Sequence, residues 1–127
     1  MEDDDEEGVL MAKRATIYHN PKCSTSRQVL EMIEAAGYKP DVIEYLKAGW
    51  NKKQLKELFA AAGLTPRQAL RTKAKEAEDL GLLDAKVSGA KLLDAMIAHP
   101  VLVERPFVVT SKGALLARPK ERVREIL

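Results

Sequence analysis

Cysteine is almost absent from this 127-residue chain: Cys23 is the only one. A single thiol forms no internal disulfide framework, and there is no CxxC pair in which a second thiol could resolve an oxidised first one. Long apolar runs are missing too; none approaches the roughly 18 residues that a membrane-spanning helix needs. The start, Met1-Glu2-Asp3-Asp4-Asp5-Glu6-Glu7-Gly8, is acidic, the wrong sign for the n-region of a signal peptide, and no long apolar h-region follows. A cytoplasmic protein without membrane contact is the expectation. There is no internal repeat and no low-complexity segment beyond this acidic start.

What is present reads as a globular domain, with 46% apolar and 31% charged residues. The net charge of +2 hides an asymmetry, because residues 2–7 are all acidic and the remainder is clearly basic. Residues 1–13 are expected to form an acidic, disordered tail, and residues 14–127 a single domain. The basic excess of that domain suits an anionic substrate.

The patterning alternates strands and helices. A strand is expected over 14–18, then a helix over 25–36 that Ser24 or Thr25 caps and Gly37 ends, with Val29, Ile33 and Ala36 on one face. Asp41 to Leu46 reads as a second strand, which makes a parallel βαβ unit. The middle, about 50–100, is helical. Leu55, Leu58, Phe59 and Ala62 share a face before Gly63, Thr65-Pro66 opens a helix carrying Arg67, Ala69, Leu70 and Arg71, and Ser88 caps a helix that His99-Pro100 breaks. Phe107 to Thr110 and Ala114 to Ala117 form a hairpin around Ser111-Lys112-Gly113, and Pro119 to Leu127 closes as a short helix. The fold class is α/β, with a helical insertion between β-α-β and β-β-α halves.

Cys23 falls between the first strand and the first helix. A thiol at a helix start faces unpaired N–H groups and the positive end of the helix dipole, both of which favour the thiolate. The same amides can hold an anion beside the sulfur. Lone cysteines are usually buried structural thiols, but Asn20, Pro21, Lys22, Ser24, Thr25 and Ser26 are poor lining for an apolar pocket. Lys22, Arg27 and His19 are expected to lower the thiol from about 8.5 toward the reactive range. His19 either tunes the thiol or is satisfied by backbone. Ser26, one helical turn on, either reaches the sulfur or a bound oxyanion, or serves as an ordinary cap. His99, at a helix end, reads as structural. Arg71, Arg105 and Arg118 offer paired N–H donors suited to a tetrahedral oxyanion, and singly each could equally be a solvated surface group.

The run Ile17-Tyr18-His19-Asn20-Pro21-Lys22-Cys23-Ser24-Thr25-Ser26-Arg27 resembles the active-site signature of the glutaredoxin-dependent arsenate reductases, the ArsC family. Similar matches are Ala69-Leu70-Arg71, the stretch from His99-Pro100 through Glu104-Arg105-Pro106-Phe107-Val108-Val109-Thr110, and Ala117-Arg118-Pro119. The resemblance implies a thioredoxin/glutaredoxin-like fold in which a cis proline after Arg105 faces the cysteine. It implies Cys23 as the nucleophile on arsenate, His19 and Ser26 as assistants of the thiolate, and Arg71, Arg105 and Arg118 as ligands of the oxyanion. Glutathione is the implied co-substrate and glutaredoxin the implied partner. No bound cofactor, metal or nucleic acid is expected, and the protein is expected to act as a monomer. With no second cysteine, the electrons must come from outside.

Two other readings stay open on the same fold. One is a glutathione-dependent thiol-disulfide reductase that never handles arsenate, which has less need of Arg71 and Arg118. The other is a non-catalytic, RNA polymerase-binding regulator of the Spx type, whose usual CxxC switch is replaced here by Cys23 and Ser26.

Overall fold

Alternating burial along Arg14–His19, with Ala15, Ile17 and His19 inside, marks strand β1. The computed structural model describes residues 13–127, so the acidic segment expected to be disordered lies, but for Lys13, outside the described residues. After β1 come helix α1 (Ser24–Ala35) and strand β2 (Lys39–Glu44). Four helices follow: α2 (Tyr45–Ala48), α3 (Lys52–Ala62), α4 (Pro66–Ala69) and α5 (Lys75–Asp79). Helix α6 (Gly89–Ala98) and a 3-10 turn (Pro100–Leu102) lead to strands β3 (Phe107–Thr110) and β4 (Gly113–Leu116), and a 3-10 helix spans Lys120–Ile126.

The described residues divide into two compact units, one formed by the chain up to Glu44 with Arg105–Leu127, the other by Tyr45–Glu104. The first holds one four-stranded sheet in the order β2-β1-β3-β4. β1 and β2 are parallel, pairing Ile17 with Val42 and His19 with Glu44. β3 runs antiparallel to both neighbours, pairing Ile17 with Val108 and Val108 with Leu115. Val29 and Ile33 of α1, Val123 and Ile126 near the C-terminus, and Ala15, Ile17, Val108 and Leu115 of the sheet form its core. Each fully buried aliphatic side chain there contributes about 1.5–3 kcal/mol of transfer free energy. Ala36, expected on the buried face of α1, is exposed because the helix ends one residue earlier and the chain turns through Gly37 at φ 84°.

The second unit is built on local caps. Asn51 caps α3, its side chain accepting the Gln54 N–H at 2.8 Å, and Gly63 stops the helix in the left-handed region at φ 69°. Thr65 and Ser88 cap α4 and α6. Leu92, Leu93 and Met96 of α6 are buried, and α6 packs against α3 and α4. Leu70 and Arg71, expected on a helix, lie beyond it. There the chain forms a bridge between Leu70 and Val103, and the Arg71 N–H donates to Leu102 O at 2.8 Å. Propensity favours helix at these residues, but the strand-like bridge supplies their hydrogen bonds instead. Arg67 holds the following loop, its guanidinium donating to the carbonyls of Leu82, Asp84 and Val87 at 2.6, 2.9 and 3.1 Å.

Candidate active site

The loop from β1 to α1 is tied to itself at every step. The Cys23 N–H donates to Asn20 O at 3.0 Å, closing a tight turn over Pro21 and Lys22. The Lys22 N–H donates to Asn20 Oδ1 at 3.0 Å, and the Asn20 N–H to Ser26 Oγ at 3.1 Å. Arg27 Nη1 reaches back to Pro21 O at 2.8 Å.

Cys23 is itself the N-cap of α1, with extended backbone, and no side-chain oxygen caps the helix. The expected capping by Ser24 or Thr25 does not occur, because both already lie inside the first turn. Burial pushes the half-buried Cys23 thiol up. The N–H of Ser26, the hydrogen bond and charge of Arg105, and the N–H of Thr25 outweigh it together, and the thiol titrates below its ordinary value. In an ordinary N-cap an oxygen accepts from these two amides; here a thiolate takes that place. Lys22, Arg27 and His19 are not among the groups that lower the thiol. Lys22 is exposed to water, Arg27 is engaged on the Pro21 carbonyl and His19 on Ser26 Oγ, whereas the backbone amides are fixed beside the sulfur.

His19 ends β1 and is buried; its Nδ1 lies 2.6 Å from Ser26 Oγ. Ser26 is fully buried, and its oxygen already accepts the Asn20 N–H, so the hydroxyl proton is the natural donor to an unprotonated Nδ1. Burial lowers the imidazole below its ordinary value, the charge of Glu44 opposes that, and the charge of Arg27 adds to the lowering. A neutral His19 matches the hydrogen-bond pattern. Glu44 was not legible as a neighbour of His19, because only the β1–β2 register brings the two opposite each other.

Arg105 immediately precedes Pro106, and the bond between them is cis, as is the bond between Arg118 and Pro119. The Nε and Nη1 of Arg105 are buried without a hydrogen-bond partner. Arg118 follows β4 and is exposed, and its Nη1 donates to the Arg105 carbonyl at 3.1 Å. Thus the sheet unit brings Cys23, His19, Ser26, Arg105 and Arg118 into one connected set. Buried donors without partners beside a thiolate form a ready site for an anion. Arg71 belongs to the helical unit, where its Nε is buried without a partner.

A groove of about 610 Å³ in the sheet unit lies at the other end of α1, lined by Ala35, Tyr38, Lys112 and Arg124 among others, and includes none of these residues. Among the described residues no three His, Cys, Asp or Glu side chains gather in a way that could hold a metal ion. No described helix is long and apolar enough to cross a membrane.

The profile of the ArsC family matches residues 18–126. The arsenate reductase ArsI2 of a Synechocystis strain is 60% identical over 111 residues, covering 87% of this chain and 79% of that protein. The arsenate reductase of Escherichia coli K12 is 46% identical over 112 residues, covering 88% of this chain and 79% of that protein. A solved structure described as an arsenate reductase from Vibrio cholerae superposes with a TM-score of 0.86 at 43% identity, covering 91% of this chain and 99% of that one.

Proposed function

Because the chain belongs to the ArsC family and has a thioredoxin-like α/β fold, we propose that it reduces arsenate to arsenite, using glutathione and glutaredoxin as the source of electrons. The Cys23 thiolate attacks As(V), forming a sulfur–arsenic bond as an arsenate oxygen leaves as water or hydroxide. Glutathione then joins the arsenic with loss of a second oxygen. Glutaredoxin completes the two-electron reduction: its thiol takes the glutathione sulfur as a mixed disulfide, the As–S(glutathione) electron pair passes to arsenic, and Cys23 is left bound to As(III). Water then cleaves the Cys23 sulfur–arsenic bond, releasing arsenite and returning the thiol. A chain with one cysteine has no internal thiol for that second half.

The observation that carries the reading is the sulfur of Cys23 at the N-cap of α1, with the amides of Thr25 and Ser26 and the guanidinium of Arg105 lowering it. The same donors suit the oxyanion that develops in the attack. Arg118, held on the Arg105 carbonyl, supplies further positive charge, and Arg71 enters the proposal through its match to the family signature. His19 and Ser26 support the loop that presents the thiolate. The reading calls for no bound cofactor, since the reducing equivalents arrive as thiols. It places the reaction in the cytoplasm, where glutathione keeps thiols reduced, and takes the protein to act as a monomer.

The test is NADPH oxidation by purified protein with glutathione, glutaredoxin, glutathione reductase and arsenate. Turnover is expected to require arsenate and both thiol components, and to vanish in Cys23→Ser. NADPH consumption indifferent to arsenate would replace this reading with that of a thiol-disulfide reductase.

A further inference from the structure

Asn20 is a buried polar residue in a loop whose other polar side chains mostly face water. Three of its groups are used within the cysteine loop. Its N–H donates to Ser26 Oγ at 3.1 Å, its backbone carbonyl accepts the Cys23 N–H at 3.0 Å, and its side-chain Oδ1 accepts the Lys22 N–H at 3.0 Å. The last of these is an Asx-turn nested inside the tight turn that ends at Cys23.

The nesting has a consequence for which amides remain to face the sulfur. Pro21 has no N–H, the Lys22 N–H is turned inward onto Oδ1, and the Cys23 N–H is held by the Asn20 carbonyl. The backbone donors that act on the sulfur are the N–H groups of Thr25 and Ser26, beside the Arg105 side chain. Without Oδ1, the Lys22 peptide is free to rotate toward solvent, and the Cys23 backbone that follows it is held in the turn by the Asn20 carbonyl alone. Through its own N–H, the same residue also meets the hydroxyl that bonds His19 Nδ1.

We propose that Asn20 is a positioning residue, whose side-chain Oδ1 locks the Pro21-Lys22 turn so that Cys23 Sγ sits against the Thr25 and Ser26 amides and beside Arg105. The proposal rests on Cys23 being the nucleophile of the function proposed above, and adds a residue whose contribution passes entirely through that sulfur. The charged group that acts on the sulfur is Arg105 before β3; His19 at the end of β1, bonded to Ser26, is in turn acted on by Glu44 of β2 and Arg27 on α1. None of them is altered by a change at Asn20.

Substitution can remove Oδ1 while leaving both backbone hydrogen bonds of this residue possible. Lys22 is exposed, so water can satisfy its freed N–H, and Asn20→Ala is expected to melt close to the wild type. Its thiol should nonetheless behave differently. Iodoacetamide alkylation of the full chain reports Cys23 alone, because no other cysteine is present. In Asn20→Ala the midpoint of alkylation against pH should move up, and the rate at pH 7 should fall about fivefold, the worth of one ordinary hydrogen bond. In the arsenate assay kcat should fall more than KM rises. Asn20→Ser, whose hydroxyl can form the related but weaker turn, should recover part of each change.

An Asn20→Ala protein with the wild-type alkylation midpoint would overturn the proposal. So would equal losses in the alanine and serine variants accompanied by a collapse of the melting temperature, which would reduce Asn20 to a folding role. The alkylation arm needs no arsenate. A shifted midpoint in a protein whose wild type fails to reduce arsenate would refute the proposed function and leave the positioning role standing.

Discussion

At the scale of single residues, the chemistry of Cys23 is set by groups anchored in the fold. The amides of Thr25 and Ser26 are fixed by α1, and Arg105 by the start of β3. Arg105→Ala should therefore raise the alkylation midpoint of Cys23 toward the ordinary thiol range. It should also cost about 10²–10³-fold in arsenate turnover, the usual loss when one oxyanion donor is removed. Alkylation against pH and steady-state assays of the same variant check both, and an unchanged midpoint would detach Arg105 from the sulfur. His19 gives a second expectation. Its folded value is lowered, chiefly by burial, so its contribution to stability is full above the ordinary imidazole value of about 6.5. That contribution is lost as pH falls from there through the lower folded value, because the unfolded chain takes up the proton first. Urea denaturation across this window should show the loss in the wild type and a flatter profile in His19→Gln; equally steep profiles would refute it.

At the scale of elements, the caps were the most legible features. Thr65 and Ser88 cap α4 and α6 as their positions suggest, since a cap involves only residues three apart. The start of α1 was legible as a location but not as a mechanism: serine and threonine stood ready to cap it, and the cysteine took the cap position instead. Arg71 shows the opposite failure, where a helical stretch gave way to a bridge between residues distant in sequence. Arg67 has the clearest structural role of the arginines on this part of the chain. Three carbonyls of one loop accept from its planar fork, a geometry that lysine does not reproduce. Arg67→Ala should lower stability by about 2 kcal/mol in chemical denaturation, in line with hydrogen bonds to a charged donor, and Arg67→Lys should restore little of it. A full rescue by lysine would show that charge alone is what the loop requires.

At the scale of the whole molecule, the chain outside its acidic start is basic, and the substrate of the proposed reaction is an anion. Long-range attraction of this kind is screened over about 8 Å at physiological ionic strength. Raising salt from 50 to 500 mM should lower kcat/KM for arsenate several-fold, mainly through KM, and leave the alkylation rate of Cys23 by uncharged iodoacetamide nearly unchanged. A kcat/KM indifferent to salt would confine the electrostatics to the groups in contact with the oxyanion.

The sequence by itself determined what depends on neighbours along the chain: the strand that leads to Cys23, the helix that begins just after it, the loop between, and the solitude of the thiol. Those follow from backbone stereochemistry and hydrogen bonding within a few residues. Only the tertiary structure decided which groups act on the sulfur. Pairing of β1 with β3 joins segments from opposite ends of the chain and brings Arg105 to Cys23, and pairing of β1 with β2 sets Glu44 opposite His19. Residues with charge near Cys23 in sequence, Lys22 and Arg27, were the reasonable candidates, yet they are not what lowers it. Electrostatic influence falls with distance through space and with exposure to water, and neither quantity is written in the order of the residues.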